Sequence, residues 1–308
     1  MSKGRGLIVT TSPHVRDEDS VTKIMYNVVL ALLPALILAV RTFGLHALWL
    51  IITCSVTALA SEALAQKLRG VKVTINDGSA LVTALLLAMS LPPNLPLWVA
   101  VVGTVVAIIL GKQIFGGLGY NYFNPALIGR AFLLASFPVL MTTWEKPFVD
   151  AQAQATPLGL MKMEGVATPY SDLFMGSVSG SLGEVSALAI LIGGLYLLYK
   201  GYIDWRIPLS YLGTVVIFMT ILGEDPIFHL LAGSLLAGAF FYATDMVTTP
   251  ITKKGRWIFG IGAGILLVLI RIFGGYPEGV LYSIILMNMF VPIIDKYTVP
   301  TVFGEVAK

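Results

Sequence analysis

Ten stretches of the chain, near residues 23–41, 45–66, 78–92, 97–111, 122–141, 186–199, 207–222, 228–247, 256–274 and 279–295, are apolar almost without interruption. A helix needs about 20 such residues to cross a bilayer. Runs repeated at this density predict an all-α polytopic membrane protein with about ten transmembrane helices. Composition agrees, since only 12% of the 308 residues are charged, whereas a soluble domain is usually about 25% charged. A mean hydropathy of +0.85 excludes disorder. The single cysteine, Cys54, excludes a disulfide framework and any iron–sulfur or zinc site built by this chain alone. A net charge of +3 gives no reason to expect nucleic acid.

The basic residues orient the spans. With the N-terminus in the cytoplasm, Lys3, Arg5, Arg16, Lys23, Lys67, Arg69, Lys72, Lys112, Lys200, Arg206, Lys253, Lys254, Arg256, Lys296 and Lys308 fall inside. Only Arg41, Lys146 and Lys162 fall outside, and Arg130 and Arg271 lie within spans. This segregation follows the positive-inside rule. It predicts both termini cytoplasmic and the 142–185 stretch external. About 22 polar residues precede the first apolar run, without a cleavable signal pattern.

The halves resemble each other. Ile114-Phe115-Gly116-Gly117 recurs as Ile272-Phe273-Gly274-Gly275, Pro93 aligns with Pro250, and Gly78-Ser79 with Gly233-Ser234, all at offsets close to half the length. Five spans per half would invert the second copy in the membrane. The expected organisation is a cytoplasmic segment (1–22), a first five-helix repeat (23–141), an external loop (142–185), a second, inverted repeat (186–295) and a cytoplasmic tail (296–308). Inverted-repeat folds place their sites between the repeats.

Several polar groups lie at membrane depth, where they are expensive and usually face a site or a partner. Asp77 precedes the third span and Asp245 ends the eighth, flanked by Thr244, Thr248 and Thr249. Hydroxyl-rich helix ends suit a flavin's polar edge or a dehydrated cation. Arg271 is expected to snorkel toward the outer face. Asn124-Pro125 reads as a helix cap followed by a first-turn proline, with a cofactor contact from Asn124 as a secondary reading. The glycines of 111–119 follow no strand and are no dinucleotide loop. The three histidines lack metal-ligand spacing, and no metal is expected.

By composition the segment from Asp150 to Leu158 is an ordinary polar loop, with Thr156 extended before Pro157. It gains meaning beside other segments: Ser12-Pro13-His14, Asp77-Gly78-Ser79-Ala80-Leu81-Val82-Thr83, Phe123-Asn124-Pro125-Ala126-Leu127, His229-Leu230-Leu231-Ala232-Gly233-Ser234 and Ala243-Thr244-Asp245-Met246-Val247-Thr248. In this order, over nearly the whole chain, they resemble the RnfD family, the D components of Rnf ion-translocating oxidoreductase complexes. That family is related to the B component of the Na+-pumping NADH:quinone reductase. The sequence departs from the family pattern at Ala153-Gln154, where Ser or Thr and then Gly are usual, and at Met246, where Pro is common.

The resemblance implies FMN esterified through its phosphate to the Thr156 hydroxyl by a flavin transferase, with Asp150 and Ala155 as further motif residues. It also leaves room for a second, non-covalent flavin such as riboflavin between the repeats, at a position that the motifs do not fix. The assembled complex, in a prokaryotic cytoplasmic membrane, would couple electron flow between reduced ferredoxin and NAD+ to export of Na+ or H+. Flavin-bearing, membrane and iron–sulfur partner subunits would handle the remaining carriers, so this chain is not a complete enzyme alone. The rival expectation is a urea-transporter-like channel for a small neutral solute, since fold does not fix function.

Overall fold

The computed structural model describes residues 19–145, 154–176, 178–184 and 186–300, so Asp150 of the loop motif lies outside the described residues. The first two helices, α1 (Val21–Phe43) and α2 (Leu45–Leu68), are full-length spans separated by Gly44, whose φ of 75° makes the reversal. Next comes α3 (Ser79–Met89), whose 11 residues rise only about 16 Å, ending at the Leu91-Pro92-Pro93 turn. The fourth helix, α4 (Leu97–Ile109), runs on through a 3₁₀ turn at Gln113–Phe115. The half closes with α5 (Pro125–Ser136) and a short α6 (Pro138–Thr142).

Two small helices follow, α7 (Pro157–Glu164) and α8 (Tyr170–Met175). The second half opens with α9 (Ala187–Lys200) and α10 (Arg206–Leu222). A broken segment comes next, made of α11 (Pro226–Leu231), α12 (Leu235–Ala237) and a π-helical turn at Gly238–Tyr242. The half ends with α13 (Lys253–Phe273) and α14 (Val280–Thr298). An uninterrupted span at 228–247 is therefore corrected: Gly233 takes a left-handed φ of 74° and interrupts the helix. Among the described residues, five helices are long and apolar enough to cross a membrane: α1, α2, Leu97–Phe115, α13 and α14. The shorter apolar helices α3, α5, α9 and α10 complete a polytopic bundle.

The packing pattern repeats. In the first half α2 packs on α3 and α4, and α4 on α5; in the second, α10 packs on α11 and α13, and α13 on α14. Across the halves, α1 packs on α9 and α5 on α14. Both Gly-Ser pairs matched in the sequence lie at helix breaks, with φ of 81° at Gly78 and 74° at Gly233. The α1–α9 contact is backbone-close, because a Cβ on Gly193 would overlap the Ala31 carbonyl oxygen. Small residues permit this approach between membrane helices.

Large apolar side chains such as Ile37, Val56, Leu195, Ile217 and Phe273 face outward from the long helices, the surface of a protein solvated by lipid. The 142–185 stretch is more structured than a loop. Besides α7 and α8 it returns to the bundle, where the amides of Leu182 and Gly183 donate to Leu91 O (3.0 Å) and Met89 O (2.6 Å). Those carbonyls lie at and just beyond the α3 C-terminus, where helical partners run out.

Candidate functional site

Thr156 is the N-cap of α7. Its φ of −67° and ψ of 158° are extended, its Oγ1 accepts from the Gly159 amide at 3.2 Å, and Pro157 occupies the first helical position. Threonine then proline suits a helix start, because the hydroxyl satisfies an orphan amide and proline has none to satisfy. Leu158 anchors the helix in a small core with Leu173, Phe228 and Ala232. Lys162 fastens it from the other end, donating to Arg271 O at 2.9 Å and Gly274 O at 2.5 Å. Upstream, the Gln154 amide donates to Trp144 O (3.0 Å) and its side-chain oxygen accepts from Ser179 (3.1 Å). Gln154 thus holds the approach to Thr156 in place.

Ala155 and Thr156 form one edge of a cleft of about 210 Å³. Its apolar walls include Leu134, Met141, Met163 and Leu281, and Trp144, Tyr276 and Tyr282 supply aromatic surface. Arg130 from α5, Glu184 and Glu278 bring charge into it. Glu278 is satisfied: it accepts from the amides of Ser234 (3.1 Å) and Val280 (3.2 Å) and lies 3.7 Å from Arg271 Nη2. Glu184 is satisfied at one oxygen only: Oε2 accepts from the Ser181 amide at 3.4 Å, whereas the buried Oε1 has no hydrogen-bond partner among the described residues and Arg130 Nη2 stands 3.9 Å away. This combination is the usual make-up of a small-molecule site, apolar walls with a few convergent polar groups.

The intramembrane residues form a second group. Asn124 caps α5 by accepting from the Ala126 amide (3.0 Å) while its Nδ2 donates to Tyr242 O (3.2 Å). Its own amide meets Asn288 Oδ1 at 3.4 Å, and Asn288 donates to Thr248 O at 2.9 Å. Asp245 Oδ2 accepts from the Thr248 hydroxyl at 3.0 Å, while Thr244 spends its hydroxyl on Phe240 O at 2.6 Å. The structure therefore brings Asn124, Asp245 and Thr248 into one network joining the two halves, with Thr244 beside them. Asp245 lines two cavities of about 40 and 50 Å³. These have room for a water or a small ion and, as they stand, none for an isoalloxazine ring.

Arg271 corrects an expectation. It is 4% exposed and donates to His229 O (2.6 Å) and Ala232 O (3.2 Å), so it does not snorkel. The break at Gly233 leaves α11 carbonyls without helical partners, and the guanidinium supplies them. Lys112, expected among the cytoplasmic-side charges, is also buried, against Glu62. Sequence reasoning missed Glu62, Glu184, Glu278 and the aromatic walls. Arg130 and Arg271 were the available signal, because charge at membrane depth demands a counter-charge, but no spacing pointed to the partners. Outside the spans, Asp225 caps α11 through the amides of Ile227 (3.0 Å) and Phe228 (3.2 Å). The Tyr170 hydroxyl, with those amides, holds its carboxyl below the usual range.

Comparison with known proteins follows the same lines. The chain is similar, at 51% identity over 97% of its length and 95% of the relative, to the D component of the Na(+)-translocating ferredoxin:NAD(+) oxidoreductase complex of Acetobacterium woodii. It is 49% identical, over 96% of both chains, to the D component of the proton-translocating ferredoxin:NAD(+) oxidoreductase complex of Clostridium ljungdahlii. Identity to the D component of the ion-translocating oxidoreductase complex of Shigella flexneri is 41% over 96% of the chain and 98% of the relative. A family model described as NQR2, RnfD, RnfE matches residues 8–304, and the chain belongs to that family.

Proposed function

We propose that the chain is the membrane-embedded D component of an ion-translocating ferredoxin:NAD+ oxidoreductase complex, and that it carries FMN esterified to Thr156. The observation that carries the flavin assignment is the cleft beside Thr156, with its aromatic surface, its arginine and a buried carboxylate oxygen that lacks a partner among the described residues. A phosphoester on Thr156 would sit at the N-terminus of α7, where the helix dipole favours negative charge. Trp144, Tyr276 and Tyr282 offer faces for the ring, and Met163 and Leu281 shield it from water. FMN supplies reversible electron transfer, while the protein supplies position and electronics. Covalent attachment keeps the carrier at a fixed site without affinity for free flavin.

The rest of the reading follows from topology. Both termini are assigned to the cytoplasmic side and Thr156 to the outer side, on the segregation of basic residues. Partner subunits would handle ferredoxin and NAD+, and a flavin transferase would load Thr156. The relatives named for Na+ and for H+ are almost equally similar to this chain. The test is the mass of the full chain purified from membranes after expression with a flavin transferase. Thr156→Ser should retain an FMN adduct that survives denaturation and maps to the peptide containing position 156, and Thr156→Ala should lose it. An unmodified wild-type chain would overturn the flavin assignment and turn attention to solute flux through the single chain.

A further inference from the structure

The cleft contains two acids and one arginine whose hydrogen bonding differs sharply. Glu278 is held by two amides and lies near Arg271. The Glu184 side chain is 6% exposed; its Oε2 accepts from the Ser181 amide at 3.4 Å, while its Oε1 has no partner among the described residues. Arg130, with its side chain 10% exposed, makes no hydrogen bond among the described residues and stands 3.9 Å from that oxygen. Buried polar atoms are almost always paired, so the open Glu184 Oε1, with a guanidinium beside it that spends no hydrogen bond, calls for a ligand that offers it a donor.

The backbone holds both groups firmly. Glu184 follows Gly183, whose amide donates to Met89 O at 2.6 Å, and a Cβ on Gly183 would lie 2.9 Å from that same oxygen. Arg130 projects from the middle of α5, whose start is fixed by Asn124. Neither group is a flexible surface side chain that meets the other by chance.

We infer that Arg130 and Glu184 are positioning residues for the polar edge of the flavin, one donating to a ring carbonyl and the other accepting from the imide N–H. This rests on the Thr156 flavin reading. The pyrimidine edge of an isoalloxazine presents an N–H between two carbonyl oxygens, the complement of a guanidinium beside a carboxylate. The pair also sets the electronics. Reduction adds two electrons and one proton, so the reduced ring carries one more negative charge than the oxidised ring. Arg130 favours that charge and Glu184 opposes it.

The test is a dithionite redox titration of the flavinylated full chain in nanodiscs, followed by flavin absorbance, with adduct mass recorded on each sample. Arg130→Gln should lower the midpoint by at least tenfold in the reduced-to-oxidised ratio, about 30 mV for a two-electron couple. Glu184→Gln should raise it, and the double variant should fall between. Adducts present with midpoints unchanged, or shifted in the same direction, would overturn the inference while leaving the flavin reading intact. A wild-type chain without adduct would overturn both. Glu184→Gln preserves size and shape, so its arm decides the matter even where Arg130→Gln fails to accumulate.

Discussion

Lys112 Nζ lies 2.8 Å from each carboxylate oxygen of Glu62, and the two side chains are 2% and 1% exposed. The ammonium also donates to Ser79 Oγ at 2.6 Å, and Gln113 Nε2 donates to Glu62 Oε1 at 2.9 Å. The cluster ties the start of α3 to α2 and to the end of the α4 segment. Removing one member of a buried pair strands the other charge, which costs about 3–5 kcal/mol, whereas replacing both with apolar groups is often nearly neutral. Lys112→Met should therefore destabilise the chain far more than Glu62→Leu combined with Lys112→Met. Thermal unfolding in detergent checks this, and equal losses would mean that the charges are not coupled.

The α1–α9 contact depends on Gly193. Alanine there would drive its Cβ into the Ala31 carbonyl oxygen, and overpacking of this kind typically costs about 1–3 kcal/mol. Gly193→Ala should lower the unfolding temperature and open the junction between the halves to protease. Gly213 on α10 is the control, since a Cβ there meets nothing within 4 Å. Gly213→Ala should be neutral or slightly stabilising, because alanine favours a helix by about 1 kcal/mol over glycine. Equal losses for both would remove the close approach as the cause.

These contacts mark what the sequence could and could not express. Hydropathy located the long spans because lipid imposes one rule on every residue of a helix, whereas the matching of Gly78-Ser79 with Gly233-Ser234 gave no hint that both pairs mark helix breaks. The break at Gly233 itself was hidden inside an apolar run, because a left-handed glycine leaves no trace in hydropathy. Thr156 was singled out by resemblance of its motif alone, and the structure adds that it caps α7 and borders a cleft. The partners of Arg130 and Arg271 were not legible. Glu184 and Glu278 lie in polar connections, and only the return of the 178–184 segment to α3 carries Glu184 into the cleft.

Asp204 clamps two helix starts at the α9–α10 turn. It accepts from the Arg206 amide (2.9 Å) and guanidinium (3.0 Å), and from Arg256 Nη1 (2.5 Å). Burial pushes its carboxyl up, but the Arg206 amide and the two guanidiniums outweigh this and hold it below the ordinary value of 3.8. A carboxyl so depressed binds fewer protons when folded, so its stabilisation is present above the unfolded pKa and is lost as pH falls through the folded one. At pH 7 Asp204→Asn should cost about 1–2 kcal/mol. Acidification below about pH 4 should bring the unfolding temperatures of wild type and variant together. A gap that stays constant from about pH 7 to about pH 3 would exclude this carboxylate as its source.

The Thr156 hydroxyl serves α7 whether or not it is esterified. The Oγ1 that caps the Gly159 amide at 3.2 Å can still accept as a phosphoester oxygen, and the added phosphate charge would lie at the positive end of the helix. Loading FMN should therefore tighten α7, and exchange at the amides of its first turn should slow by several-fold relative to the unmodified chain. Thr156→Ala removes the cap, at about 1 kcal/mol, and should speed the same amides, while Thr156→Ser should leave them near wild type. Hydrogen exchange on the 157–164 peptide, with and without flavin transferase, separates the two contributions. Faster exchange on loading would show that the phosphate pulls Thr156 away from Gly159, and the helix start would then be a latch that flavinylation releases.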